Sequence, residues 1–403
     1  MAISSSNVNK RKLKNLIGEL KKLVYDYLVE YVKFFPRENL PESISKLKQK
    51  LKPYSLLTSE DWLANYEDGS YLFRIGNVEI SSPLISAPIA GISDNTYRIF
   101  TRFFGSALTF TEMVTSYGIY YNNKKSLELT SITELERPCA LQLFGSEPAV
   151  LTEAAKRVED KADIIDINMG CPAPKVLKAK SGGYLLQDEN KIKSIVSGLS
   201  SAVKKPVTIK VRTGWDKNNI NILNIAKIAE SSGASAITIH GRTVKQRFSG
   251  EVDYDVIRKV KKEASIPVIV SGDIDSPQKA LEVLEFTGCD GVMVGRASMG
   301  SIWLLLNILL SFKNKDDILE GADDSLRKLN FTPGARWRKE FAILYLEFLV
   351  YFKGEYRAVR EFRKYFSWIF KGTRRVSEAR KHFFKIETFD DAVNIIEMVA
   401  EEI

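Results

Sequence analysis

A thiol stands where a strand has just ended. In the stretch IIDINMGCPAPKVLKAKSGGYLLQ, residues 164–187, four residues of buried-strand character (Ile164, Ile165, Asp166, Ile167) run into Asn168-Met169-Gly170-Cys171-Pro172. Pro172 lacks a backbone N–H and Gly170 permits positive φ, so the chain must leave the sheet here and Cys171 is not returned to the core. A lone cysteine is ordinarily a small buried hydrophobe. These neighbours reverse that preference.

Polar residues recur at the ends of the other apolar runs: Glu112, Gln142, Lys210 with Arg212, His240 with Arg242, Asp273, and Gly295 with Arg296. One such residue is readily a core satisfier or a rim ion pair; a full set in strand order argues for an active site. The pieces SGDI (Ser271, Gly272, Asp273, Ile274) and GRAS (295–298) suit a phosphate held by backbone N–H groups and helix N-termini. Arg296 adds a charge-assisted bond. Lys210 suits an anion developing on a ring, and Gln142 can both donate to and accept from a ring imide. APIAG at 87–91, with Pro88, Ile89 and Ala90, lets a flat ring lie close to backbone. Together these residues read as a flavin mononucleotide (FMN) cradle. Two other readings stay open: a phosphosugar site with Lys210 as a Schiff-base amine, and Lys210 as a core ion pair.

Such a set needs a scaffold whose strands all end at one mouth. From Ile80 to Leu310 a short apolar strand, a polar loop and a helix repeat. Strands are expected at 84–89, 108–113, 140–144, 164–168, 207–211, 236–240, 268–271 and 291–294. Helical periodicity falls between them at 151–158, 192–203, 222–231, 254–263 and 277–286. Eight units in this length match an α/β fold of the (β/α)8 TIM-barrel type, with a doubly wound sheet as the alternative. The expected organisation is a basic helical extension over 1–70, a catalytic barrel over 71–312 and a helical domain over 313–403.

The chain of 403 residues has a net charge of +9 and three cysteines, Cys139, Cys171 and Cys289, too far apart for a disulfide framework or a CxxC pair. A reducing cytoplasm fits. Only His240 and His382 are available to a metal, so none is expected. No run reaches the apolar length of a membrane span, and Glu19, Lys21 and Lys22 interrupt any signal-peptide core. A monomer is the expectation.

Both ends are basic. Residues 1–53 hold 12 Lys/Arg against 5 Asp/Glu, with Leu13, Leu16, Ile17, Leu20, Leu23, Val24, Leu28, Val29 and Val32 at helical spacing before Pro36 and Pro41. A helix docked on the main domain, an RNA-contacting arm and a membrane-surface or partner helix all fit. Residues 353–385 hold 11 Lys/Arg against 3 Glu, interleaved with aromatics. REFRKYFSWIFKG reads as one amphipathic helix ending at Gly372, most of its aromatics core. Arg357, Arg360, Arg363, Lys364, Arg374, Arg375, Arg380 and Lys381 are the expected phosphate contacts.

The motifs APIAGISDNTYR, TEMV, LQLFG, DINMGCPAPKV, IKVRTGW, IHGRT, SGDI and VMVGRA, in this order and spacing, resemble the tRNA-dihydrouridine synthases, and most closely their bacterial B-type subgroup. The resemblance covers about residues 75–310 and continues more loosely toward the C-terminus. It implies that Pro88, Ile89, Ala90, Gln142, Lys210, His240, Gly272, Asp273, Gly295 and Arg296 bind FMN and that Cys171 is the proton donor. Ser271 stands where that subgroup usually has Asn and Ile89 where it has Met; the Ser271 backbone still supplies an N–H to the cofactor. Hydride goes from the flavin to C6 of uracil and the Cys171 proton to C5, a role suited to a thiol, which stays mostly protonated near neutral pH. Asn168 would hold the uracil or orient the reacting face, with Lys178, Arg212 and Arg242 as further substrate contacts. The resemblance implies NADPH, or NADH, as reductant; since no GxGxxG motif follows a strand, it would visit the flavin in a separate half-reaction. KGTRRVSEARKHF is similar to the end of the family's tRNA-binding helical domain. The alternatives are a flavin barrel reducing a free pyrimidine and an RNA-binding barrel without catalysis.

Overall fold

The computed structural model describes residues 12, 14–24, 26, 72–312, 331–373 and 376–400. Leu13, residues 28–41, Arg374 and Arg375 therefore lie outside the described residues. The chain divides into two compact units, Leu63–Ala297 with Leu305–Phe312, and Met1–Trp62 with Ser298–Leu304 and Lys313–Ile403.

The first unit is a parallel barrel. A hairpin of β1 (Phe73–Ile75) and β2 (Val78–Ile80) precedes it, turning on Gly76 at φ +59°. Then come β3 (Leu84–Ser86), β4 (Thr109–Phe110), β5 (Val114–Thr115), β6 (Cys139–Phe144), β7 (Ile164–Met169), β8 (Val207–Arg212), β9 (Ala236–His240), β10 (Val268–Ser271) and β11 (Gly291–Val294). Their order is β3-β11-β10-β9-β8-β7-β6-β4, and a parallel bridge from Ile85 to Leu108 closes the ring. The barrel strands are buried on both faces, which is why they read as largely apolar runs broken mainly by the site's polar residues. The hairpin packs Ile75 and Ile80 against Ile85, Ala140, Ile164, Ala236 and Ile269.

The second expected strand, 108–113, is shorter than read: β4 covers only Thr109–Phe110, and β5 begins beyond it at Val114. Thr111 accepts the Gln142 N–H on its own hydroxyl at 3.0 Å, so a side chain replaces a ladder carbonyl and Glu112 and Met113 leave the sheet. The first ends early at Ser86, because the next turn is closed locally: Ile89 N–H donates to Ser93 Oγ at 2.8 Å.

Around the barrel run α1 (Asn95–Phe103), α2 (Ser116–Tyr120), α3 (Lys124–Glu128), α4 (Pro148–Val158), α5 (Pro174–Lys178), α6 (Glu189–Ala202), α7 (Ile222–Ser231), α8 (Tyr254–Glu263) and α9 (Pro277–Thr287). Side-chain caps begin several: Asp94, Asn123, Asp188, Asp253 and Ser276 each accept a first-turn N–H. Gly288 at φ +65° ends α9. α10 (Trp303–Phe312) follows.

The second unit is helical: α11 (Ala335–Lys353), α12 (Glu355–Ile369), α13 (Val376–Phe383) and α14 (Phe389–Ala400). α12 stops at Ile369, with Gly372 at φ +86° just beyond. Its amphipathic pattern buries Phe362, Tyr365, Phe366 and Ile369. A run of ring contacts holds the unit, from Trp337 to Phe341 at 5.3 Å, Tyr345 to Tyr365 at 4.7 Å and Phe366 to Phe383 at 4.5 Å. Residues 14–24 form a helix of the same unit, burying Leu16, Leu20, Leu23 and Val24, and Trp337 Nε1 donates to Leu23 O at 3.0 Å.

Gly300 marks how closely this unit packs. A Cβ there would come within 2.7 and 2.8 Å of the Trp368 backbone carbons. Backbone does not yield like a side-chain tip, so Gly300→Ala is expected to cost about 1–3 kcal/mol in urea unfolding; an unchanged midpoint would show that the backbones are free to part.

Candidate active site

Register brings the polar strand ends level. Asn168 pairs with Lys210, Arg212 with His240, and Ser271 with both His240 and Met293. A cavity of about 550 Å³ opens at this mouth. Pro88, Ile89, Ala90, Gln142, Asn168, Cys171, Lys210, Arg212, His240, Ser271, Gly272, Asp273, Gly295 and Arg296 all line it. Lys178 does not; it is exposed on α5.

Backbone bonds fix the Cys171 loop. Asn168 Oδ1 accepts from Gly170 N at 3.2 Å and Cys171 N at 2.9 Å. Cys171 O accepts from Gly183 N at 3.1 Å, and Arg212 Nε donates to Gly170 O at 3.0 Å. The thiol is half-buried, and burial raises its pKa against the opposing pull of the Ala173 N–H, Arg212 and Lys210. It is therefore a protonated thiol at neutral pH. Asn168, expected to hold substrate, also donates Nδ2 to Gln142 Oε1 at 2.9 Å, so both ends of its amide serve the protein.

Gln142 continues the chain of bonds by donating Nε2 to Asp166 Oδ2 at 2.7 Å, while Thr208 Oγ1 donates to Asp166 Oδ1 at 2.6 Å. Asp166 is fully buried, and desolvation pushes its pKa up to about 6 despite those bonds and the Lys210 charge. Burial first, then Arg212, pulls Lys210 down to about 8. Among the described residues its ammonium meets no hydrogen-bond acceptor. Sequence reading passed over Asp166 and Thr208, although a carboxylate inside the run IIDIN was a usable signal, since a buried charge needs partners.

On the opposite side the chain turns through two positive-φ residues, Gly272 at +123° and Asp273 at +48°. Asp273 receives Arg242 through both Nη atoms, one at 2.9 Å, and Arg296 at 3.0 Å. Arg242 is only 3% exposed and also donates to Gly250 O, so it anchors this turn and faces neither cavity nor solvent. His240 is held neutral, its pKa driven far down by burial and by Lys210, Arg212, Arg242 and Arg296. Its Nδ1 is buried without a partner. Phe248, which sequence reading missed, lines the cavity with its ring 4.4 Å from the Arg296 guanidinium and 5.5 Å from that of Arg212.

In the helical unit the expected phosphate contacts divide. Arg357 is paired with Glu361 at 2.7 Å and Arg363 donates to Ile386 O at 3.0 Å. Arg360 lies on the exposed Tyr356 ring, Arg380 on the exposed Phe384 ring and Lys364 over Tyr365. Lys381 is exposed. Among the described residues no His/Cys/Asp/Glu group could hold a metal ion, and no helix is long and apolar enough to cross a membrane.

The family model described as dihydrouridine synthase (Dus) matches residues 85–403. The chain is 40% identical over 321 residues to tRNA-dihydrouridine synthase B of Pseudomonas aeruginosa, covering 79% of this chain and 92% of that protein. It is 38% identical over 332 residues to a probable tRNA-dihydrouridine synthase of Rickettsia conorii, covering 82% and 96%. With tRNA-dihydrouridine synthase B of Vibrio cholerae it shares 37% identity over 326 residues, covering 80% and 97%. A match that begins in the first barrel strand and runs through the helical unit, with relatives alike over nine tenths of their own length, makes this chain a member of the dihydrouridine synthase family.

Proposed function

We propose that the protein reduces the C5=C6 bond of uridines in tRNA to 5,6-dihydrouridine, with FMN as its bound cofactor and NADPH or NADH as the visiting reductant. The observation that carries this reading is one cavity faced by the Cys171 thiol, the Lys210 ammonium and the Gly272–Asp273 turn. The residues suit FMN. Pro88, Ile89 and Ala90 offer a low wall for a ring, and Lys210, half-buried at the cavity wall with no acceptor among the described residues, suits negative charge on it. Gln142 keeps one N–H and one lone pair for a ring imide. The positive-φ turn, Gly295, Arg296 and the unpartnered Nδ1 of His240 suit a phosphate and its hydroxylated chain.

A reduced flavin held there would supply hydride to C6 of the uracil. Cys171 gives its proton to C5, and its raised pKa keeps that proton in place at neutral pH. Asn168 acts by positioning, since it pins the two N–H groups that set the thiol loop. Asn168→Ala is thus expected to slow uridine reduction about 10²-fold at unchanged flavin content, because a misplaced donor loses most of its effect. Wild-type turnover in that variant would mean the loop holds itself.

A uridine in folded tRNA must leave its stack to reach a barrel mouth. Arg360, Arg380 and Lys381 of the helical unit, with Arg374 and Arg375 beyond the described residues, are the groups we assign to the backbone. The deciding assay incubates flavin-loaded protein with NADPH and an unmodified tRNA transcript and looks by mass spectrometry for uridines that gain two hydrogens. No such product would end the proposal. Equal turnover of free uridine would move the reading to a free-pyrimidine reductase.

A further inference from the structure

One aromatic cluster on the barrel unit has no part in the cavity. The chain passes Met113, which lines the cavity, crosses β5 and enters α2 and α3. These short helices carry the segment SYGIYYNNKKSLE, residues 116–128. Gly118 lets them lie together, since a Cβ there would come within 2.7 Å of Ser126 Cβ and 2.8 Å of Thr115 Cγ2. Asn122, at φ +54°, reverses the chain between them, and Asn123 caps α3 by accepting from Ser126 N at 3.2 Å.

The result is a fixed group of tyrosines left in water. Tyr121 is 71% exposed, Tyr117 41% and Tyr120 37%. Tyr117 and Tyr121 lie nearly parallel, 15° apart with centroids at 6.4 Å, and Tyr120 meets Tyr121 edge-on at 5.1 Å. Arg157 locks the third ring from behind, with its guanidinium 5.2 Å from the Tyr120 centroid and its Nη1 donating to Tyr120 O at 2.8 Å. Lys124 and Lys125 lie on α3, which packs against the tyrosine-bearing α2, both exposed and paired with no carboxylate among the described residues.

Clustered exposed aromatics ask for a partner, and the lysines narrow its chemistry. Lysine is depleted where proteins bury each other, whereas ammonium groups beside open ring faces are what a backbone-tracking, base-stacking surface needs. We infer that Tyr117 and Tyr121, with Lys124 and Lys125, form a stacking platform for unpaired nucleotides of the RNA substrate on the flank of the barrel unit, outside the cavity. The inference rests on the proposed activity on tRNA. Tyr121 supplies the open face, Tyr117 sets its orientation, and the two lysines meet the phosphates of the stacked segment.

The test measures binding of an unmodified tRNA transcript over a range of salt concentrations, alongside flavin content and dihydrouridine formation by the wild type. Tyr117→Ala/Tyr121→Ala is expected to weaken binding at least about tenfold, and Tyr121→Phe to retain wild-type affinity, because stacking needs the ring and not the hydroxyl. Lys124→Gln/Lys125→Gln is expected to flatten the salt slope by about 1.4, twice the single-strand increment per phosphate. Wild-type affinity in the double tyrosine variant, with wild-type protein active on tRNA, would overturn the platform and leave the activity standing. A change in sedimentation without a change in tRNA affinity would assign the face to a second copy of the chain and overturn it equally. Wild-type protein that forms no dihydrouridine removes the proposed activity itself.

Discussion

Cys171→Ala is expected to lower dihydrouridine formation about 10²- to 10⁴-fold, the usual contribution of a positioned general acid. Flavin content should match the wild type. The substitution takes away the sulfur and its proton and little else, because the loop is held by the Cys171 and Gly170 N–H groups on Asn168, the Gly183 N–H and Arg212, none of which uses the thiol. The half-buried thiol has its pKa raised by desolvation, so wild-type activity should persist through neutral pH and fall as pH climbs through that raised pKa. The sign follows from the chemistry: only the protonated form can give a proton to C5. A quench-flow or mass-spectrometric time course checks both points, and an alanine variant as fast as wild type would place the donor elsewhere.

Lys210→Met is expected to cost about 10²- to 10³-fold in reduction of the flavin by NADPH, the scale seen when one preorganised charge is removed from a dry site. Stability should move the other way. Burial holds the Lys210 pKa near 8, below the ordinary 10.5, so its ammonium is penalised in the fold. That penalty is in full force below pH 8 and fades as pH climbs toward 10.5. At pH 7 the variant should unfold at equal or higher urea concentration, by on the order of 3 kcal/mol at most. Asp166 can tolerate the loss, since Thr208 and Gln142 already occupy its oxygens. A variant that both reduces flavin normally and is destabilised would make Lys210 a core ion pair and nothing more.

The eight barrel strands and most of their helices were legible in the chain because each carries its own period. Val207–Arg212 and Ala236–His240 are short β-branched-rich runs between turn residues, and Tyr254–Glu263 repeats at helical spacing behind an Asp cap. The β1–β2 hairpin was not read, since three-residue strands are too short to establish a period. Neither was the break after β4, where one threonine hydroxyl takes over a ladder bond.

The site divides along the same line. Sequence alone determined which residues end the strands, and hence that Cys171, Lys210, His240, Asp273 and Arg296 share one mouth; strand ends are local facts, and a barrel points them all the same way. Only the tertiary structure decided what each polar side chain does there. It spends Arg242 on Asp273 and Gly250, sets Asn168 to hold a loop, joins Gln142 to a buried Asp166, and brings Phe248 up against two guanidinium groups. A side chain's partners lie tens of residues away and are chosen by geometry and desolvation, which a pattern read along the chain does not carry.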